Sequence, residues 1–321
     1  MVAPEILIAG ETLIDFIPDR PGPLGTVESF SRRAGGAPAN VAIALSRLDE
    51  TPYFLTNLST DPFGEFLAQT LTKNGVPEQF VTRDEERKTT LAFVSHDADA
   101  DRSFSFYREN TADTVLHEGC VPDDVLAAVS WVYVGGVLLS KEPARSATFA
   151  LVERAREHGC SIALDPNYRP ELWERDEEFA ATIERVVSLA DVVNASIEDF
   201  AVTEFADENP ERLAENLLEA GPHTVFLTLG DAGSHVVASA DAPWGTTQET
   251  HPGFPVEPTD TTGAGDAFVA GVLAQIASGN QSPTEALAFA NAVAAVTTTA
   301  PGAITSLPTR SEVRTFRGRH A

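Results

Sequence analysis

Short apolar runs bounded by turn residues recur along the chain, alternating with segments whose apolar positions fall at helical spacing. EILIAG precedes PANVAIALSRL, YFLTNLS precedes GEFLAQTLTKNG, and WVYVGG precedes ATFALVERAREHG; SIALDP, DVVNAS and TVFLTLG continue the series. Strands that are apolar throughout, separated by amphipathic helices, predict a mostly parallel central sheet covered on both faces, an α/β three-layer sandwich. The KNG and EHG endings place Gly75 and Gly159 where a helix needs a left-handed C-cap.

Two regions break this rhythm. Residues 12–33 and 91–108 hold alternating segments, TLIDFIPD, VESFSRR, LAFVSH and RSFSFYR, which read as half-exposed strands outside the main sheet. They predict a small β-sheet lid that is no independent domain, so residues 1–321 are expected to form one unit. Between Ala240 and Pro258 turn formers prevail, predicting a loop and a short edge strand.

Beyond Pro258 the stretch TDTTGAGDAFVAGVLAQIASG turns helical from Ala267 onward, which puts Gly263, Ala264 and Gly265 at a helix's first turn. There the backbone N–H groups lack intrahelical partners and the helix dipole is positive, so the turn is an anion site without a basic side chain. Glycines let a phosphoryl group approach the backbone. Asp266 follows, and two readings stand for it: a helix-start acid, or a base that takes a proton from an attacking hydroxyl. Since no Lys-Ser/Thr follows the glycines, this is not a Walker loop.

Charge narrows the partners. The chain carries 48 acidic and 22 basic side chains, a net charge of −26. Such a polyanion is expected to bind neither nucleic acid nor an anionic membrane. Of its cations only Lys73, Lys88 and Lys141 are lysines, and acids are spread through every region. That pattern suits a cytoplasm of molar salt, as in a halophile, where screening acts within a few ångströms. No apolar run is long enough to span a bilayer, so a soluble, cytoplasmic protein is expected. Cys120 and Cys160 have neither the number for a disulfide framework nor metal-site spacing.

DTTGAGDAF, Asp260 to Phe268, resembles the C-terminal signature of the ribokinase-like (PfkB) family of carbohydrate kinases, and RRAGGAPANVAIALSRL, Arg32 to Leu48, resembles its N-terminal one. The likeness spans nearly the whole chain. It implies an ATP-dependent sugar kinase with Mg²⁺ on the phosphates, Asp266 as general base and Gly263 to Asp266 as the anion hole. On the sugar side it implies Asp15, Gly35, Gly36 and Asn40, the glycines allowing close approach of the sugar. Residues after a parallel strand face the ligand crevice, which adds Asp165, Asn167 and Arg169; Arg108 ends a lid strand. Each arginine could instead sit in a surface ion pair. On the nucleotide side the resemblance implies Asn194, Glu198, Thr228, Gly230 and Gly233, with Asn291 at the adenine. Asp260 and Thr262 resemble a monovalent-cation (K⁺) site found in some relatives.

GETLIDFIP, FYRENTAD and DPNYRPELW look most like the fructokinase branch; 2-keto-3-deoxygluconate kinase is the competing member. A catalytically silent sugar- or nucleotide-binding regulator on the same fold would be expected to lose Gly263, Gly265 or Asp266, and all three are present. Phe16, Phe30, Phe104 and Phe106 could pair two lids in a homodimer or pack onto their own subunit.

Overall fold

A computed structural model describes residues 4–96, 102–280 and 282–320. Among them, nine strands form the central sheet in the spatial order Val81–Asp84, Tyr53–Ser59, Ile6–Ala9, Trp131–Gly135, Ser161–Asp165, Val192–Ser196, Thr224–Thr228, Ser234–Ala238 and Thr247–His251. The first seven run parallel, and Ser234–Ala238 pairs antiparallel with both of its neighbours, Thr224–Thr228 and Thr247–His251, so that edge is an antiparallel meander. The expected edge strand before the glycine turn is Thr247–His251. Ser234–Ala238 and Val81–Asp84 were not anticipated from periodicity; both are short, and the second has no buried position.

Side chains alternate between two cores, one on each face of the sheet. Ile6, Ile8, Phe54, Tyr133 and Phe226 pack under the helices Ala37–Arg47, Ala264–Ala277 and Pro283–Thr298. Leu7, Ala9, Val132, Leu164 and Val225 pack under Ala144–Glu157, Asp176–Val187 and Pro210–Ala220. Burial on both faces explains why the strands are continuously apolar. Gly75 and Gly159 follow their helices with φ of 80° and 83°, as the endings predict.

A second sheet has the order Phe30–Gly35, Leu13–Pro18, Leu91–His96, Arg102–Tyr107. Its two central strands are parallel and each outer strand pairs antiparallel with its neighbour. One face carries Asp15, Phe104 and Phe106 toward a cavity. On the other face Phe16 stacks on Phe93 with ring centroids 4.9 Å apart and meets Phe30 and Phe63 edge-on. The five phenylalanines of these strands are thus divided between two faces, Phe104 and Phe106 on one and Phe16, Phe30 and Phe93 on the other. Phe104 and Phe106 are half-buried over the cavity, and among the described residues the large apolar side chain that stands out in solvent is Tyr107, 65% exposed.

Candidate active site

At the C-terminal ends of the parallel strands, under the second sheet, lies a cavity of about 440 Å³. Strand ends supply Glu11, Asp165, Asn194 and Thr228; the turn before the helix Ala264–Ala277 supplies Thr261 to Gly263. This is where an open α/β sheet leaves a crevice, since chains diverge as they leave the strands for opposite faces.

The helix Ala264–Ala277 starts at Gly263, which has φ 78° in the left-handed region, and Asp266 sits in its first turn. A Cβ on Gly263 would lie 2.7 Å from Cβ of Ala303, whereas one on Gly265 would meet nothing within 4 Å, because Gly265 faces the cavity. Ala264 N bonds back to Thr261 O at 3.2 Å, so the turn is preformed. Oδ2 of Asp266 accepts a 2.7 Å hydrogen bond from Nδ2 of Asn40, at the start of the facing helix Ala37–Arg47. Desolvation raises the Asp266 pKa from the usual carboxylate range; the Asn40 hydrogen bond and the Arg169 guanidinium oppose this.

Five carboxylates line the cavity, Glu11, Asp15, Asp165, Asp199 and Asp266, against one cation, Arg169. Burial, with Asp266 nearby, pushes Asp15 up to about 7. Glu11 is also raised to about 7, by burial, which outweighs the attraction of Arg108. Burial, then Asp199 and Asp266, hold Asp165 well above its ordinary value, and Tyr133 places its hydroxyl 3.4 Å from Oδ2 of Asp165. Glu11 and Asp15 are therefore partly protonated near pH 7, and in that form can donate as well as accept. Glu11 Oε2, Asn40 Oδ1 and both side-chain polar atoms of Asn194 are buried without a partner among the described residues. A polar ligand would satisfy them.

The residues expected from sequence divide. Asp15, Gly36, Asn40, Asn167, Arg169, Asn194, Thr228, Thr262, Gly263, Gly265 and Asp266 line the cavity. Gly35 does not; a Cβ there would overlap the Asp15 carboxylate, so its smallness makes room for that side chain and not for a sugar. Gly36 has φ 98°, and a Cβ would come within 2.7 Å of the Glu11 carbonyl oxygen. It serves the crossing of two backbones.

Arg108 lies behind the wall, not in it. It is buried, pairs with Asp113 at 2.7 Å and donates to Oγ of Ser140 at 2.7 Å. The structure gives it an ion pair, but a buried one and not the surface pair of the alternative reading. Glu198 is exposed and outside the lining; the short turn Glu198–Phe200 directs Asp199 inward, where it accepts from Ser196 N and Tyr168 N at 2.7 Å each. Gly230 and Gly233 lie beyond Thr228, outside the lining. Gly233 has φ 93° and packs against residues 251–253. Asn291 also lies outside, its amide held by Ser234 Oγ at 2.6 Å and Leu287 O at 2.8 Å.

Asp260 and Thr262 bind each other: Oδ1 of Asp260 accepts from the Thr262 amide at 2.9 Å and hydroxyl at 2.6 Å, and Oδ2 accepts from the Gly302 amide at 2.9 Å. They hold the glycine turn against the loop before Ala303. Among the described residues no group of three or more His, Cys, Asp or Glu is arranged to hold a metal ion.

Sequence reading missed Glu11 and Asp199. Glu11 follows the first strand directly, so the strand-end rule that pointed to Asp165 applied to it equally.

A model of the pfkB family of carbohydrate kinases matches residues 3–310. The chain belongs to this family. The kinase is 37% identical to fructokinase-1 of Zea mays over 95% of this chain and 94% of that one. Among solved structures it resembles fructokinase with bound ATP from Xylella fastidiosa, with TM-score 0.86, 30% identity and 99% of both chains covered. A fructokinase double mutant from Vibrio cholerae O395, in fructose-, ADP- and potassium-ion-bound form, has TM-score 0.81 and 32% identity, with 98% of this chain and 99% of that one covered. The kinase therefore has the ribokinase-like architecture expected from its motifs, and no helix of its described residues is long and apolar enough to cross a membrane.

Proposed function

We propose that this kinase transfers the γ-phosphoryl group of ATP to the primary 6-hydroxyl of fructose, with Asp266 as general base. The observation that carries this reading is the Asp266 carboxylate beside the first-turn amides of Gly263 to Asp266, within one cavity, positioned by Asn40. The hydroxyl oxygen forms the new bond to phosphorus while the bond to the ADP oxygen breaks, and the hydroxyl proton passes to Asp266. A weak base suffices because the transition state is loose and positioning does most of the catalysis. The helix-start amides stabilise charge on the transferring group.

Asp15, Asn40 and Asn167 offer the hydrogen-bonding groups that a polyhydroxyl ligand needs, and Gly35 leaves room for the Asp15 carboxylate. A neutral sugar is favoured over a keto-deoxy acid because Arg169 is the one cation lining the cavity, while the acids and amides around it offer many hydrogen-bonding groups and little to pair a substrate carboxylate. The nucleotide would run from the glycine turn toward Asn194 and Thr228. Mg²⁺ on its phosphates would neutralise charge on their oxygens, and the unpartnered Asn194 amide suits its water shell. A monovalent cation would bind through backbone carbonyls near Asp260 and Thr262, whose side chains brace that loop.

The second sheet acts as the lid, with Phe104 and Phe106 excluding water from the reacting atoms. Phe16 on its opposite face packs on Phe63 of the same chain, and exposed Tyr107, beside Phe93, is where two copies would pair. The reaction belongs in the cytoplasm, where ATP is supplied.

The test is ATP-dependent phosphorylation of fructose, 2-keto-3-deoxygluconate, ribose and adenosine, with Asp266→Asn as the comparison. Fructose is expected to be preferred, and Asp266→Asn to keep ATP binding while losing about 10²–10⁴ in kcat. Preference for the keto-deoxy acid would overturn the substrate; near wild-type turnover by the variant would overturn the base.

A further inference from the structure

Away from the cavity, a cleft of about 430 Å³ opens between the strand Phe30–Gly35 of the second sheet, the C-terminal halves of the helices Ala37–Arg47 and Pro62–Lys73, and the segment 302–305. Its lining includes Arg32, Arg33, Arg47 and Lys73, and no acidic residue. In a chain with 48 acidic and 22 basic side chains, four cations in one lining with no carboxylate among them run against the overall balance; Arg32 comes from the Phe66 face of the edge strand and Arg33 from the Asp15 face, and Glu312 acts on Arg47 from outside the lining.

Two of the four cations are held in place. Arg47 donates to Leu307 O at 2.6 Å and to Oδ1 of Asn74 at 2.9 Å, which fixes its guanidinium in the cleft. The Arg32 guanidinium lies 3.8 Å from the centre of the Phe66 ring, which leaves its N–H edges open. Arg33 and Lys73 have no ion-pair partner among the described residues. Thr70 and Gln69 add neutral polar groups to the wall. Like charges gathered in this way repel one another until an anion joins them, and arginines bind phosphate oxygens in two-point fashion.

We propose that this cleft is a second ligand site, for a phosphorylated small molecule, bound by Arg32, Arg33, Arg47 and Lys73. It shares no lining residue with the cavity of Asp266, although a recess between them is lined by Asp15 and Thr262 of that cavity and by Arg33 and Gly302 of the cleft. A ligand here would bridge the second sheet and the body of the protein.

Because the chain has only three lysines, Lys73 reports on the site directly. Lysine acetylation followed by mass spectrometry would be run on the full chain at constant ionic strength, with and without inorganic phosphate or fructose 6-phosphate. Modification of Lys73 is expected to slow at least tenfold, with Lys88 and Lys141 unchanged, and Arg33→Gln to abolish the protection. Protection by both probes at like concentration supports a bare phosphate site, and protection by fructose 6-phosphate at lower concentration supports a sugar phosphate. No protection, equal protection of all three lysines, or protection that survives in Arg33→Gln would overturn the proposal. The readout does not involve turnover, so it stands or falls apart from the assignment of fructose and Asp266.

Discussion

Nδ2 of Asn40 stands 2.7 Å from Oδ2 of Asp266, a hydrogen bond spanning 226 residues that joins the first turns of two helices entering one cavity. It presents the carboxylate to the cavity and favours its ionised form against desolvation.

A pH dependence follows. Asp266 must be ionised to accept a proton, and its pKa is raised, so kcat/KM should climb with pH along an acid limb above the ordinary carboxylate range. Asn40→Ala removes a contact that lowers this pKa and should move the limb to higher pH. A pH–rate profile of the two proteins checks this, and a limb that stays in place would separate Asn40 from the titration of the base.

Two neighbouring glycines should respond differently to the same substitution. Gly263→Ala puts a side chain at φ 78° and within 2.7 Å of Ala303, so thermal unfolding should show a loss of about 1–3 kcal/mol. Gly265→Ala meets open space, so stability should hold while the methyl crowds the anion turn and raises KM for ATP about tenfold or more. Equal melting temperatures for the two variants would contradict this account of the turn.

Glu11 is buried and its pKa is raised to about 7, so the folded state holds its proton more tightly than the unfolded state does. The stability this contributes is complete below about pH 4.5 and is lost as pH rises through 7. Glu11→Gln should match wild type at pH 5 and exceed it at pH 8.5 by on the order of 3 kcal/mol. Thermal melts across pH measure it, and a constant difference would show that Glu11 is not the group titrating.

The net charge of −26 motivates a salt prediction. If molar salt is the working medium, the melting temperature should rise steadily with KCl to molar concentration as self-repulsion is screened. A melting temperature that is flat or falling with KCl would sink the halophile hypothesis.

The layers, the main helices, the glycine turn and its acid were legible in sequence because they rest on local rules: unbroken apolar runs against period 3.6, positive φ at C-caps, and unpaired amides at a helix start. Asp165, Asn167 and Arg169 were legible through the strand-end rule. What sequence left open was decided by packing. Arg108 and Arg169 look alike along the chain, yet Asp113 and Ser140 hold the first behind the wall while the second faces the cavity. Gly35 reads as a ligand contact and is in fact the space for Asp15. Asp199 replaces Glu198 in the lining because a short turn rotates one inward and the other out. In each case the outcome depends on which distant side chains share a small volume, and only the tertiary fold sets that.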